Sequence, residues 1–192
     1  RRFVAWGPTM DRNNLMLSQV NILFGSVPDD LDEFVFASQS VQAEAMKYFV
    51  EMWRGRKFER TGIIWWNVRD GWPIISDAVV DYYGSKKLAY YFLSNVQKNV
   101  CVFVSHPAEG TVTVTDVATG REVFKGSYRV GANGRETIAR LPVLEGQGML
   151  LIRYEADGER FGNHYLYGEP PYDLKEYRNW LDKTKLYANK DK

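Results

Sequence analysis

The chain has 192 residues, of which 45% are hydrophobic and 26% are charged, as is ordinary for a soluble globular protein. Its 25 basic and 24 acidic side chains leave a formal net charge of +1, so charge gives no reason to expect a nucleic acid or an anionic membrane as partner. No apolar run reaches the roughly 18 residues that a membrane span needs. The single cysteine, Cys101, excludes an internal disulfide.

The first part of the chain predicts two helices. Thr9 can cap a helix over residues 10–24, which ends before Gly25. A second helix is predicted over Leu31–Arg54, with acidic residues at its start and basic residues at its end, an order that suits the helix macrodipole. Apolar spacing predicts its buried stripe as Leu31, Phe34, Ser38, Val41, Ala45, Tyr48 and Met52.

The most aromatic stretch of the chain, residues 61–73, reads Thr-Gly-Ile-Ile-Trp-Trp-Asn-Val-Arg-Asp-Gly-Trp-Pro. Residues 62–67 are apolar on both faces, which predicts a strand buried on both sides, as in a parallel sheet. An irregular loop follows over 68–81, and a third helix is expected to open at Gly84-Ser85. Helix, strand, long loop and helix is the order that closes a β/α repeat.

From Lys98 onward the hydrophobic pattern has a period of two, which is typical of strands, and three turn signals lie between the strands at 118–120, 132–134 and 157–158. We therefore predict an antiparallel β-sandwich that packs directly against the first part of the chain. A last helix is expected over 173–187, with Leu174, Tyr177, Trp180 and Leu181 facing inward. The six predicted strands cover residues 100–105, 111–117, Glu122–Val130, 136–141, Gly148–Ala156 and 160–167.

The aromatic stretch is also the candidate functional site, because a sugar is bound by a flat aromatic face together with amides or carboxylates. The predicted substrate-binding residues are Trp66, Asn67, Asp70 and Trp72. They lie at or just past a strand's C-terminal end, where β/α barrels place their active sites. Three of these residues also have a structural alternative: Trp66 belongs to a tryptophan pair, which is often core, Asp70 can cap the loop, and Trp72 can cover an apolar patch. Trp65 should point away from Trp66 and pack beneath a helix.

Other kinds of site find little support in the sequence. His106 and His164 each lack a second ligand nearby, so no metal site is predicted. We also expect no cofactor, because the sequence has no glycine-rich phosphate loop; it has no nucleophile elbow either.

Four segments in the same order make a more specific case: residues 36–48, 53–57, 62–73 and 81–84. Together they resemble the end of the catalytic barrel of glycoside hydrolase family 2, in its β-mannosidase-like branch. The resemblance implies an α+β chain in which residues 1–97 are the C-terminal part of a (β/α)8 TIM barrel. Residues 98–170 would be an immunoglobulin-like β-sandwich, and 171–192 a C-terminal helix and tail.

By this resemblance, Trp66 matches the aromatic residue that lines the subsite of the sugar being cleaved. The family's usual strand continues Tyr-Trp-Gln-Leu-Asn-Asp. Asp70 matches the Asp of this motif, whereas Trp65, Asn67 and Arg69 replace its Tyr, Gln and Asn. The substitution at Arg69 leaves the exact substrate open. The implied activity is retaining exo-hydrolysis of a β-linked sugar, of the β-mannosidase or β-galactosidase kind.

The family's two catalytic carboxylates are missing from this sequence. In the family the acid/base lies in an Asn-Glu pair and the nucleophile in a Ser-Glu-aromatic-Gly context, and neither motif occurs here. Only some 97 residues precede the predicted sandwich, against about 250 for a full barrel. Since the chain also starts at Arg1 without an initiator Met, we expect a fragment that is inactive alone.

The expected partners are a carbohydrate substrate and the remainder of the parent enzyme, with oligomers possible through exposed barrel surface. Related bacterial enzymes suggest a periplasmic or secreted location. The alternative is a non-catalytic carbohydrate-binding or scaffolding module.

Overall fold

The computed structural model describes residues 12–56, 59–98, 108–131, 136–156 and 158–187. Within these ranges the chain is mixed α/β, with four helices and one four-stranded antiparallel sheet. In chain order the elements are α1 (Arg12–Phe24), α2 (Leu31–Arg54), α3 (Leu88–Val96), β1 (Ala108–Asp116), β2 (Glu122–Val130), β3 (Gly148–Ala156), β4 (Glu159–Tyr167) and α4 (Leu174–Thr184).

Helix α2 has the predicted bounds, and the Asp30 carboxylate caps it by accepting a hydrogen bond of 3.0 Å from the Glu33 N–H. The predicted buried stripe is correct only in part: Phe34 and Val41 pack against the core, but Leu31, Tyr48 and Met52 are exposed. The face that the rest of the chain covers is partly polar, because its charged side chains have hydrogen-bonding partners on the sheet. The buried residues of α2 are Ala37, Ser40, Ala43, Lys47, Val50 and Glu51.

The other helices differ from prediction mainly at their ends. Helix α1 ends at Phe24 as expected, while Thr9, its predicted cap, lies outside the described residues. Helix α3 begins at Leu88, later than predicted, because residues 81–85 form a turn in which the Asp81 carboxylate accepts a hydrogen bond from the Ser85 N–H at 2.8 Å. Helix α4 is capped by Asp173 and ends at Thr184, followed by the C-cap Lys185, whose φ is 53°.

The sheet has the order β2-β1-β3-β4, with every neighbouring pair antiparallel. The predicted bounds of β2 and β3 are confirmed, and those of β1 and β4 are nearly so. Residues 136–141 do not form the predicted strand, whereas 100–105 and the turn at 132–134 lie outside the described residues. Gly120 and Gly158 have φ values of 73° and 78°, so the turns at those two places need glycine.

The buried strand predicted over residues 62–67 is wrong in this structure. The segment has no sheet partner among the described residues, and Ile64 is 96% exposed. A strand needs a neighbour for its backbone hydrogen bonds, and the described part of the chain provides none here. The side chains nevertheless alternate as predicted: Ile63 and Trp65 pack against the core, while Ile64 and Trp66 face outward.

One hydrophobic core joins the helices to the sheet. It contains Phe24 of α1, Phe92 of α3 and Trp180 of α4, and it includes Met149 and Leu151 of β3. A second, smaller cluster lies within the sheet: Val112, Tyr128, Val130, Tyr154 and Ala156. The two predicted parts of the chain therefore share a core. Across the described residues, every helix is too short or too polar to traverse a bilayer.

Candidate functional site

The candidate site is built on a loop, residues 66–80, whose first and last parts, 67–70 and 79–80, lie side by side and run in the same direction; we call it the aromatic loop and these two parts its arms. The N–H of Val80 donates to the Val68 carbonyl at 3.0 Å, and the N–H of Asp70 donates to the Val80 carbonyl at 3.1 Å. The N–H of Val79 adds a bond of 3.3 Å to the Asn67 carbonyl. These bonds hold the two arms of the loop side by side, so the loop has a defined backbone despite its irregular sequence.

Helix α2 supports the aromatic loop and the start of α3 through two glutamines. Gln42 donates from its amide nitrogen to the Asp77 carbonyl at 2.6 Å. The side-chain oxygen of Gln39 accepts a bond of 2.9 Å from the N–H of Leu88, the first residue of α3. Since the first N–H groups of a helix have no partner within it, Gln39 satisfies one of them and fixes α3 against α2.

Asp70 lies beneath the loop and is only 6% exposed. Its Oδ2 is 3.3 Å from Nζ of Lys87, and its Oδ1 accepts a short hydrogen bond from the hydroxyl of Ser76. Lys87 also donates to the Ser76 carbonyl at 3.2 Å. Both carboxylate oxygens thus have protein partners, which is the loop-capping alternative considered from the sequence. Contact of Asp70 with substrate stays a prediction.

The remaining predicted site residues face away from the core. Trp66 is 72% exposed and Trp72 is 65% exposed, and Asn67 is exposed between them. Arg69 does not project freely, because its guanidinium donates to the Tyr82 carbonyl at 2.9 Å and so ties the loop to the following turn. The structure thus leaves two indole rings and one amide available at the surface, and it uses Asp70 and Arg69 within the loop.

A second cluster of polar side chains joins α2 to the sheet and α4; we call it the buried polar network. Glu44 Oε1 lies 2.7 Å from Nε2 of His164 and accepts a bond of 2.9 Å from the Tyr177 hydroxyl. Two turns further along α2, Glu51 accepts a bond of 2.6 Å from the Asn163 amide. Lys47, between them, pairs with Glu51 at 3.4 Å and lies 4.1 Å from the Tyr165 ring centroid. The network comprises Glu44, Lys47, Glu51, Asn163, His164 and Tyr177.

Burial and charge oppose one another at Glu44 but act in the same direction at Tyr177, the two acidic groups that meet in this network. Burial raises the pKa of Glu44, but the charge and hydrogen bond of His164, with help from Lys47, outweigh it and lower that pKa below its ordinary value. Burial raises the pKa of Tyr177 well above its ordinary value, and the neighbouring Glu44 carboxylate adds to the rise. Tyr177 therefore stays a hydrogen-bond donor to an ionised Glu44.

Sequence reasoning missed both sets of partners. In α2, Ser40, Glu44, Lys47 and Glu51 recur at helical spacing. That polar stripe, flanked by Ala37 and Val50, is the signal that could have shown the covered face. No comparable signal relates Asp70 to Lys87, because the turn between them brings the two together. Within the described ranges, no group of three or more His, Cys, Asp or Glu residues is arranged to hold a metal ion.

Part of the chain is similar in sequence to fungal proteins named β-mannosidase B. The protein from Aspergillus flavus is 38% identical over 78 residues, which are 39% of this chain and 9% of that protein. The protein from Thermothelomyces thermophilus is 31% identical over 109 residues, which are 50% of this chain and 13% of that protein. The matched region thus spans about a tenth of the length of these relatives. The chain matches no protein-family model.

The fold is similar to parts of two solved structures. It aligns with the β-D-mannosidase from Dictyoglomus thermophilum with a TM-score of 0.66 and 19% identity, over 82% of this chain and 22% of that one. It aligns with the exo-chitosanase CsxA from Amycolatopsis orientalis with a TM-score of 0.67 and 18% identity, over 90% of this chain and 26% of that one. The likeness of fold therefore includes both the helices and the sheet.

Proposed function

We propose that this chain is part of a retaining exo-glycoside hydrolase. Its relatives confirm its resemblance to the β-mannosidase-like enzymes of glycoside hydrolase family 2. The parent enzyme would remove a terminal β-linked sugar, of the mannoside or galactoside kind. In it, residues 1–97 would be the closing part of a (β/α)8 barrel, 98–170 an immunoglobulin-like sandwich, and 171–192 a helix and tail. The observation that carries the proposal is the outward presentation of Trp66 on a braced loop.

In this proposal Trp66 forms one wall of the sugar subsite. Its ring offers a flat apolar face to the C–H side of the sugar, and the nearby Asn67 amide and Trp72 ring complete the wall. Asp70 contributes from beneath by holding the loop in place. The acid/base and nucleophile carboxylates are supplied by the remainder of the enzyme, since retaining hydrolysis needs a pair about 5–5.5 Å apart. The exposed apolar residues of the loop are then covered by that remainder.

The first test is turnover of aryl β-mannosides and β-galactosides by the isolated chain and by the whole enzyme that carries it. We expect none from the isolated chain and measurable turnover from the whole enzyme. The sequence preceding Arg1 in that enzyme should contain an Asn-Glu strand end and a second Glu strand end. If the whole protein binds sugar without cleaving it, that result would favour a carbohydrate-binding or scaffolding module instead.

The second test is Trp66→Ala in the whole enzyme. Loss of the sugar wall should lower kcat/KM by about 100-fold, equivalent to roughly 2.7 kcal/mol of transition-state stabilisation. The control is Tyr83→Ala, an exposed aromatic residue in the next turn to which we assign no contact with sugar. A change below about twofold for Trp66→Ala would remove Trp66 from the site.

A further inference from the structure

A lysine lies at the base of the aromatic loop, and neither the resemblance nor the sequence gives it a role. Lys87 immediately precedes α3, and its Nζ lies 3.3 Å from Asp70 Oδ2 and 3.2 Å from the Ser76 carbonyl. Its side chain is mostly buried. Asp70 lies on the first arm of the loop and Ser76 on the segment that leads to the second arm. One ammonium group therefore joins these two parts of the loop.

The backbone of Lys87 strengthens the same connection. Its N–H donates to the Val79 carbonyl at 2.9 Å, on the second arm, so both its main chain and its side chain contact the loop. Since Leu88 is anchored to α2 by Gln39, Lys87 transmits the position of the helices to the loop. The third participant, the Ser76 hydroxyl, donates to Asp70 and accepts a bond of 3.0 Å from the N–H of Ala78.

Stability alone is a weak reason for this arrangement. Removing an ammonium and a carboxylate from water costs several kcal/mol for each ion, and an apolar pair of similar volume often stabilises a fold as well or better. What the ion pair adds is direction, because Lys87 can satisfy Asp70 and the Ser76 carbonyl together only when those two parts of the loop lie at one spacing. Trp66 and Trp72 flank Asp70 in the sequence, so that spacing decides how their rings are presented.

We propose that Lys87 is a positioning residue for the sugar wall, acting through Asp70 and Ser76 on Trp66 and Trp72; this inference rests on the proposed function. Lys87 itself does not touch the sugar. Replacing it releases the arms of the loop and moves the indole rings away from the geometry that the reacting sugar requires. Small misplacements of this kind lower rates strongly even when the altered residue is remote from the chemistry.

The test is a double-mutant cycle in the whole enzyme that carries this chain. Lys87→Met should lower kcat/KM at least tenfold, and Lys87→Arg, which keeps the charge and donors, should restore most of the loss. In the Trp66→Ala background, Lys87→Met should have a further effect of less than about threefold, because the residue through which it acts is gone. A purely structural lysine would give the same fold-change in both backgrounds.

Two further variants make the outcome decisive. Arg129→Met removes an exposed ion pair with Glu109 far along the chain and should leave kcat/KM unchanged. Ser76→Ala removes one partner of Asp70 without leaving a buried charge alone; it should reproduce the loss in milder form should Lys87→Met fail to fold. Equal effects of Lys87→Met in both backgrounds, or normal activity of Ser76→Ala, overturn the inference alone. Absence of turnover in the unsubstituted enzyme overturns the proposed function and the inference with it.

Discussion

At the scale of single residues, Glu44 has three neighbours whose interaction with it depends on its charge. The groups facing it are His164 from β4, Tyr177 from α4 and Lys47 from its own helix. Because its pKa is lowered in the folded chain, Glu44 stabilises the fold at pH values above its ordinary pKa. That contribution is lost as the pH falls through the lowered value.

We therefore predict that Glu44→Gln lowers the free energy of unfolding by about 2 kcal/mol at neutral pH. The variant should also lose less stability than the unsubstituted chain on acidification through the range below the ordinary carboxyl pKa. Urea unfolding between neutral pH and pH 3 measures both effects. Glu155→Gln is the control, since its exposed pairing with Arg160 should contribute under about 0.5 kcal/mol. Parallel acid profiles for Glu44→Gln and the unsubstituted chain would contradict the role given to Glu44.

The neighbouring tryptophans should separate stability from activity. Trp65 packs against the core whereas Trp66 is exposed, so Trp65→Ala should cost about 2 kcal/mol of unfolding free energy and Trp66→Ala under about 0.5. Denaturant unfolding of the two variants, followed by circular dichroism, provides the comparison. Equal losses would mean that the two rings do not alternate as the structure shows.

At the scale of elements, the attachment of α2 to the sheet depends on polar contacts as well as apolar ones. The Asn163 amide of β4 and the Glu51 carboxylate of α2 are both buried and are 2.6 Å apart. A buried hydrogen bond to a charged group contributes about 1.5–3 kcal/mol, and leaving one partner unsatisfied costs a similar amount.

We predict that Asn163→Ala and Glu51→Gln each destabilise the chain by about 2 kcal/mol. The double variant should cost at least 1 kcal/mol less than the sum, because the two side chains stabilise one another. Denaturant midpoints for the four proteins measure this coupling. Ser38→Ala with Arg129→Met, a pair on α2 and β2 with separate partners, should be additive within about 0.5 kcal/mol. An additive result for Asn163 and Glu51 would mean that the contact does not hold α2 on the sheet.

The same elements show how far the sequence could lead. The bounds of α2, β2 and β3 were predictable because caps, charges and hydrophobic periods are local signals. The buried face of α2 was not predictable from apolar spacing, since Lys47 and Glu51 are covered only because Asn163 and Tyr165 lie opposite them. The strand over 62–67 was predicted from apolar residues on both sides, but a strand also needs hydrogen-bonding neighbours. Trp66 was predicted to contact sugar from its place at the end of the predicted strand and from the resemblance, and this stays a prediction; the contacts of Lys87 depend on the three-dimensional turn.

At the scale of the whole molecule, many of the exposed large apolar side chains belong to the aromatic loop and the segments beside it. Beyond Ile64, Trp66 and Trp72, the exposed large apolar residues of the same region include Val68, Ile74, Ile75 and Tyr83. Single exposed apolar residues are normal, but a contiguous group marks an interaction surface. The resemblance predicted this exposure, because barrel elements that lack their neighbouring strands would leave their apolar faces uncovered.

The isolated chain should therefore self-associate through the aromatic loop and the segment before it. We predict concentration-dependent association in sedimentation velocity at about 50 µM, in the range where exposed apolar surface promotes aggregation. Ile64→Glu should shift the chain toward monomer, because burying a carboxylate in an apolar contact is costly. Val143→Glu alters a residue that is 97% exposed, as Ile64 is 96% exposed, but lies outside this group and should leave association unchanged. A monomeric chain at this concentration, or equal effects of the two glutamates, would show that this surface does not drive association.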